Sequence, residues 1–190
     1  MKHIQALLRT HSPVSRFELA ADAIATGDLA GLKRLPREDP DLVRARSTRE
    51  HEAPLIHYVA ANGVEDFVDQ EGTLRNGATP EQLSYGFISA CEYGRSKVVK
   101  LLLDRQVKLD AHYMQAQTGL HWAAYGGQVE TVDLLLKTVP EVNAKDQVQG
   151  GTPLGWGVYG WSYPAPEVKN ARHHDVVERL IRAGAIVDWE

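Results

Sequence analysis

Histidine is the residue type in this chain best able to do chemistry, because a neutral imidazole binds transition metals and titrates near neutral pH. His173 and His174 are adjacent, and adjacent side chains on a helix point about 100° apart, so the two do not form a shared ligand face. No HExxH spacing and no cysteine pair accompanies them, so the sequence does not support a zinc site. We expect no metal and no cofactor.

The cysteine, glycine and acidic residues offer no stronger case for catalysis. Cys91 lacks a neighbouring base or cation in the sequence that would activate a thiolate. The glycine pairs at 126–127 and 150–151 lack the lysine of a phosphate-binding loop. The acidic stretch around Glu65 lacks the ligand spacing and central glycine of a calcium loop. We therefore expect a protein that is not an enzyme.

Composition narrows the partner class. The chain has 190 residues, of which 43% are hydrophobic and 24% charged, which is typical of one soluble domain. A formal net charge of −4 argues against binding nucleic acid, which needs a basic surface. The sequence has no apolar run long enough for a membrane span or a signal peptide. A single cysteine fits a reducing compartment, so we expect a cytoplasmic protein.

A pattern of residues returns every 33 positions. The leucine run 134–136 aligns with the run 101–103, Gly127 with Gly94, and Ala123 with Ala90. A forward step of 34 residues aligns the first helix of this unit with a second set, namely Thr152, Leu154, Trp156, Tyr159 and Gly160. Each unit is a pair of short helices that is too small to be stable alone, so the units must stack to bury their leucines.

These units resemble ankyrin repeats. The segments TGLH at 118–121 and TPLG at 152–155 are similar to the Thr-Pro-Leu-His signature, and VPEVNAKD at 139–146 and AGAIVD at 183–188 are similar to its closing turn. The resemblance implies an all-α solenoid of about five helix–turn–helix repeats in a single domain, 1–190. The implied boundaries are a capping extension at 1–16 and repeats at about 17–46, 47–76, 77–111, 112–145 and 146–190.

Three irregularities carry further predictions. The offset from Val132 to Val177 rises to 45 residues, which predicts an 11-residue insertion in the last repeat, at about 162–172. Pro36 stands where a third leucine would continue the second helix, so we expect that helix to end there. Charged residues of the last helix predict a polar outer face for the final repeat, and they are Asp175, Glu178, Arg179 and Arg182.

Aromatic residues mark the predicted binding surface. The resemblance places Tyr93, Tyr125 and Tyr159 along the concave groove, with Gly126 and Gly160 opening space beside them. Tyrosine and tryptophan dominate binding hot spots because they bring large rigid area and a polar tip. Trp122 and Trp156 fall at positions that are usually core, so packing is expected for them. The alternative is that the aromatics pack under the 162–172 insertion.

The turn loops add candidates by the same resemblance. The loop before repeat four contributes Met114, Gln115 and Gln117, and the loop before repeat five contributes Gln147 and Gln149 together with Val148. We expect these residues to be exposed, and we add Trp161 to the predicted site.

Three functions remain open at this point. The first is a non-catalytic module that binds a polypeptide partner in its groove. The second is an enzyme or small-ligand binder with an aromatic pocket under the 162–172 insertion, where Trp156, Tyr159, Trp161, Tyr163, His173 and His174 would converge. The third is self-association through the groove or an imperfectly capped end. A closed pocket with convergent polar groups would favour the second, and a broad open groove the first.

Overall fold

Nine α-helices make up the regular structure of the computed structural model, which describes residues 13–48, 52–64, 77–106, 115–138, 141–166, 168 and 170–187. In chain order the helices are α1 Pro13–Thr26, α2 Leu29–Glu38, α3 Leu55–Asn62, α4 Pro80–Glu92, α5 Ser96–Asp104, α6 Gly119–Tyr125, α7 Val129–Thr138, α8 Pro153–Ser162 and α9 His173–Arg182. A 3₁₀ turn follows α2 at Pro40–Val43. Within the described ranges there is no strand, so the expected all-α fold is confirmed.

The helices stack in two rows. The inner row runs α1, α3, α4, α6 and α8, each packing on the next, and the outer row places α5 against α7 and α7 against α9. The partner expected for α3 falls in 65–76, which lies outside the described residues. Inner and outer helices of one unit also contact each other, as α4 does α5 and α6 does α7. This two-row arrangement is the helical solenoid that the 33-residue period predicts.

The core lies between the two rows and between successive units. Equivalent apolar residues of the outer helices are fully buried, among them Leu102 of α5, Leu135 of α7 and Leu180 of α9. Burying one such side chain stabilises the fold by about 1.5–3 kcal/mol. Because helices of successive units pack on each other, the stability of any one helix pair depends on the pairs beside it.

The end of α2 differs from the prediction made from Pro36. The helix continues through Pro36 to Glu38, and the Asp39 N–H donates to the Leu35 carbonyl at its end. A proline inside a helix costs about 3 kcal/mol because one hydrogen bond is lost. Burial of Leu32 and Leu35 on the core side of α2 offsets this cost. At the N-terminus, α1 begins at Pro13, inside the predicted capping extension 1–16, of which residues 1–12 lie outside the described residues.

The outer face of the last repeat is less polar than predicted. Arg179 is used within the fold, since its Nε donates to Asp133 of α7 at 2.8 Å. Glu178 and Arg182 pair with each other along α9. Between them Ile181 is 50% exposed, and in the turn that follows Ile186 is 62% exposed. The prediction read the charged residues of α9 correctly but overlooked the apolar residues that share the same face.

Candidate functional site

Three tyrosine rings lie in contact one after another on the surface of the described structure, the first pair stacked and the second tilted by 37°. The ring centroids of Tyr125 and Tyr159 are 6.2 Å apart with an angle of 24° between the ring planes, and those of Tyr159 and Tyr163 are 5.1 Å apart. Tyr159 is 58% and Tyr163 66% exposed, whereas Tyr125 is half-buried. We call these residues the tyrosine row. The row begins at the end of α6, continues on α8 and ends on the insertion.

Two tryptophans support the row from below. The rings of Trp122 and Trp156 meet edge to face at 5.2 Å, and Trp156 also meets Tyr125 at 6.1 Å. The Trp156 Nε1–H donates to the Asp146 Oδ2 at 3.0 Å, which fixes the ring against the loop before α8. Both tryptophans are half-buried. They therefore pack, as their positions in the repeat suggested, and they hold Tyr125 in place.

The glycines beside the tyrosines serve close packing and do not open space, so that prediction was wrong. Gly126 and Gly160 are both buried. A Cβ atom on Gly126 would run into the Glu92 carbonyl oxygen, and one on Gly160 into the Tyr125 carbonyl oxygen, in each case well inside the 3.0 Å limit of real Cβ contacts. The missing side chains thus let the ends of α4, α6 and α8 approach one another directly. This close approach brings Tyr125 and Tyr159 within stacking distance.

The two turn loops before α6 and α8 are joined. The Gln147 N–H donates to the Gln115 carbonyl at 2.7 Å, and the Asp146 carboxylate accepts from the N–H groups of Val148 and Gln149 at 2.8 and 2.9 Å. Burial acts to raise the pKa of Asp146, but these hydrogen bonds and that from Trp156 outweigh it and lower the pKa. The side chains of Gln115, Gln147 and Gln149 are exposed, as predicted.

Gln117 does not share that exposure. It is only 9% exposed, so its predicted place at a loop tip was wrong. Gln115 and Ala116 both adopt positive φ, 60° and 64°, and this left-handed pair turns residue 117 inward before α6 begins. Met114, predicted beside them, lies outside the described residues.

Histidines tie consecutive repeats together. His121 is fully buried, its Nε2–H donates to the Gly151 carbonyl at 3.0 Å, and its Nδ1 accepts from the Thr118 N–H at 3.0 Å. Burial lowers the pKa of His121 and keeps the ring neutral. Nδ1 of His57 hydrogen-bonds the Ser89 hydroxyl of the next repeat at 2.7 Å. Both therefore have the structural role expected of them.

The insertion is anchored on the preceding repeat. The Arg172 N–H donates to the Gly127 carbonyl at 2.9 Å, and the Arg172 side chain pairs with Glu130 of α7. The buried His173 donates from Nε2 to the Tyr125 carbonyl at 2.8 Å. His174 points outward beside Trp161, whose ring lies 5.7 Å away and is 51% exposed. The two histidines therefore do not converge on a pocket with the aromatic residues.

A cavity does exist beside the insertion, but only one of its lining residues, Tyr93, is aromatic, and most of the others are polar. Its volume is about 490 Å³, within the range typical of ligand pockets. It is formed by the turns of repeats two to four and by the insertion, and its lining residues are Ala61, Asn62, Tyr93, Arg95, Gln128, Val168 and Asn170. Tyr93 thus belongs to this cavity. Sequence reasoning missed Arg95 and Gln128, because nothing in the sequence showed that the insertion reaches back to these turns.

The described residues contain no arrangement that points to catalysis. Cys91 is fully buried, and burial raises the pKa of its thiol well above the usual value, so it is unreactive. No group of three histidine, cysteine or acidic residues that could hold a metal ion occurs in the described part of the chain. None of the helices in the described part of the chain has the length and apolar character needed to cross a membrane.

Comparison with known proteins agrees with the architecture. A family model described as ankyrin repeats, three copies, matches residues 87–188. The chain is 33% identical over 144 residues to the probable E3 ubiquitin-protein ligase XBOS33 of Oryza sativa subsp. japonica, covering 70% of this chain and 27% of that protein. It is 32% identical over 124 residues to the E3 ubiquitin-protein ligase XBAT33 of Arabidopsis thaliana, covering 63% and 24%.

A relative of a different kind also matches. Alpha-latrotoxin-Lt1a of Latrodectus tredecimguttatus is 29% identical over 136 residues, covering 68% of this chain and 10% of the toxin. The chain therefore spans about a quarter of the length of the two ligases and a tenth of the toxin. The family model covers more than half of the 190 residues, and the chain belongs to the ankyrin-repeat family.

Proposed function

We propose that this chain is a non-catalytic interaction module that binds a polypeptide segment on the tyrosine row. The observation that carries the proposal is the series of ring contacts from Tyr125 to Tyr159, stacked with 24° between the ring planes, and from Tyr159 to Tyr163, tilted by 37°. The series crosses two repeats and reaches the insertion, and two of the three residues are more than half exposed. Exposed aromatic rings held rigidly by their neighbours lose little entropy on binding, and this is the property of a hot spot.

The surroundings of the row favour a polypeptide over other partners. Trp156 connects the row to the loop carrying Gln147 and Gln149, whose exposed amides offer donors and acceptors suited to a peptide backbone. The row itself contains no cationic residue, and the chain has a net charge of −4, so electrostatic attraction of nucleic acid is not expected. An apolar centre with a polar rim is the usual anatomy of a protein interface.

The proposal does not include the ubiquitin-ligase activity for which the plant relatives are named. This chain aligns with only 27% and 24% of the two ligases, and with 10% of a latrotoxin. What the relatives share with this chain is therefore the repeat region, and we assign to it the interaction role and not the ligase chemistry. A cytoplasmic location stays a prediction.

Peptide selection tests the proposal directly. Peptides would be selected from a random phage-displayed library against the folded chain, and the affinity of a selected peptide measured by fluorescence anisotropy. We expect the double substitution Tyr159→Ala and Tyr163→Ala to weaken binding at least about tenfold, because truncating a hot-spot residue costs about 2 kcal/mol or more.

The matched control is Trp161→Ala, which removes an equally exposed aromatic ring that contacts His174 instead of the row. It should leave the affinity within about twofold. Failure to select any peptide, or equal affinity of the double variant and the wild type, would contradict the proposal.

The polar cavity favours a second candidate function, the binding of a small anionic molecule. Among the described residues, the only hydrogen bond of the Arg95 side chain runs from Nε to the Ala61 carbonyl at 2.8 Å. The terminal guanidinium nitrogens are therefore left for a ligand carboxylate or phosphate. Calorimetric titration with citrate, glutamate and inorganic phosphate would test this. Binding that disappears in Arg95→Gln supports the candidate, and absence of heat with all three probes removes it.

A further inference from the structure

The rings of the tyrosine row leave no room for a partner side chain between them. The centroids of Tyr125 and Tyr159 are 6.2 Å apart and those of Tyr159 and Tyr163 are 5.1 Å apart. Aromatic rings at such separations are in direct contact. A bound segment must therefore lie across the row, on the parts of the rings that face solvent, and it cannot anchor itself by inserting a large side chain between two rings.

Three recurrent ways of binding a polypeptide segment do not fit this surface. Addition of a strand needs an exposed sheet edge, and the described ranges contain no strand. An amphipathic helix inserts a series of large apolar side chains into an apolar groove, and the contacts between the rings close the row to such side chains. Recognition of a phosphorylated or acidic motif needs a cluster of arginines, and the row consists of tyrosines.

Recognition of a polyproline II helix does fit the row. Such a segment packs its prolines against a surface lined by aromatic rings, and it is already extended before binding, so that little conformational entropy is lost. It has three residues per turn, so prolines three residues apart lie on the same face. Exposed rings that are held by their neighbours, as those of Tyr159 and Tyr163 are, present such a surface.

The hydroxyl groups of the row supply the hydrogen bonds that such a segment needs. A polyproline II helix has no internal hydrogen bonds, so its carbonyl groups are free to accept. Among the described residues the hydroxyls of Tyr159 and Tyr163 have no hydrogen-bond partner, and both residues are more than half exposed. The row thus offers ring surface for prolines and donors for the carbonyls between them. We infer that the segment bound on the tyrosine row is proline-rich and binds as a polyproline II helix, an inference that rests on the function proposed above.

The sequences of selected peptides test the inference. A random phage-displayed library would first be depleted on the folded variant Tyr159→Ala/Tyr163→Ala and then selected on the wild type, so that the retained peptides depend on the row. We expect proline to be enriched several-fold over the starting library, with a spacing of three residues. Replacing these prolines by alanine in a selected peptide should weaken binding at least about tenfold in fluorescence anisotropy, because both ring contacts and pre-organisation are lost.

Removal of the hydroxyls alone provides a second readout. Tyr159→Phe and Tyr163→Phe keep the rings and remove the donors, so each should weaken binding of a proline-rich peptide by about two- to tenfold. Tyr93→Phe is the matched control, since Tyr93 lines the polar cavity and lies outside the row, and it should leave the affinity unchanged.

The outcomes separate the inference from the function on which it rests. Row-dependent peptides without proline enrichment overturn the inference and leave the interaction role in place. Full affinity of both phenylalanine variants also overturns it, because the carbonyls of the bound segment would then not be held by the row. Failure to obtain any row-dependent peptide contradicts the proposed function itself.

Discussion

Gly160→Ala is the substitution that most directly tests how the inner helices are packed. Gly160 lies inside α8, where alanine is favoured over glycine by up to about 1 kcal/mol. Opposing this gain, the new methyl group would collide with the Tyr125 carbonyl oxygen and approach His173 Nε2 to 2.9 Å. A backbone oxygen within a helix cannot rotate away, so α8 would have to move. Such overpacking typically costs about 1–3 kcal/mol.

Gly157→Ala is the matched control. Gly157 is also buried, in the same helix and one turn earlier, but its Cβ would meet Ala124 Cβ at 3.6 Å and Val176 Cγ1 at 3.8 Å, which are ordinary contacts. The gain in helix propensity is common to both variants and cancels in their comparison. The difference between them therefore measures the contact alone, and we expect Gly160→Ala to be less stable than Gly157→Ala by about 1–3 kcal/mol.

Urea unfolding, followed by circular dichroism and by tryptophan fluorescence, measures the difference. Gly157→Ala should unfold at the wild-type urea concentration or above it, and Gly160→Ala at a lower one. A shift of α8 would also separate Tyr159 from Tyr125, so Gly160→Ala should weaken peptide binding. If Gly160→Ala is as stable as Gly157→Ala, the inner helices are not in direct backbone contact and the account of the tyrosine row given above is wrong.

Three further substitutions probe the loops and turns. Burial holds the pKa of His121 below its usual 6.5, so the unfolded chain takes up this proton first and the free energy of unfolding falls as the pH drops below about 6.5. Urea unfolding at about pH 7.5 and at about pH 5.5 measures this loss of stability, and His121→Gln should make the loss smaller. An equal loss in the variant and the wild type would show that His121 does not cause it. Asp146→Ala leaves the Trp156 Nε1–H and two backbone N–H groups without their acceptor and should cost about 1–3 kcal/mol in the same assay, whereas a neutral result would show that water replaces the carboxylate. Gly127→Ala should cost more than Gly27→Ala, because both have positive φ but only Gly127 has the insertion within 2.9 Å of the added methyl group, and equal thermal midpoints would count against the anchoring of the insertion.

Periodicity predicted the fold because stacking requires it. The offset of 33 residues that relates Gly127 to Gly94 reflects one turn between an inner and an outer helix, and both glycines adopt positive φ there. The structural roles of His57 and His121 could be predicted from the same 33-residue repeat. Residues at equivalent positions of a regular repeat have equivalent structures. The helices, turns and core leucines could therefore be placed from the sequence alone.

The features that could not be predicted depend on contacts between distant segments. Gly126 and Gly160 suggested open space, since a sequence does not reveal that a neighbouring carbonyl occupies the place of the missing side chain. The predicted aromatic pocket under the insertion was wrong for the same reason. No local sequence pattern shows that the insertion reaches back to Arg95. The helix end predicted at Pro36 was wrong, because the burial of Leu32 and Leu35 overrides the local preference of proline.

The anchored insertion also affects how the array comes apart. In a linear array the repeats can open one at a time, because each contacts only its neighbours. Here the segment between α8 and α9 bonds Gly127 and Glu130 of the preceding repeat, and His173 bonds Tyr125. The last unit therefore cannot open without breaking contacts made by the one before it. Amide hydrogen exchange should show α6 to α9 opening as one cooperative block, in which the tyrosine row is kept intact until both repeats unfold.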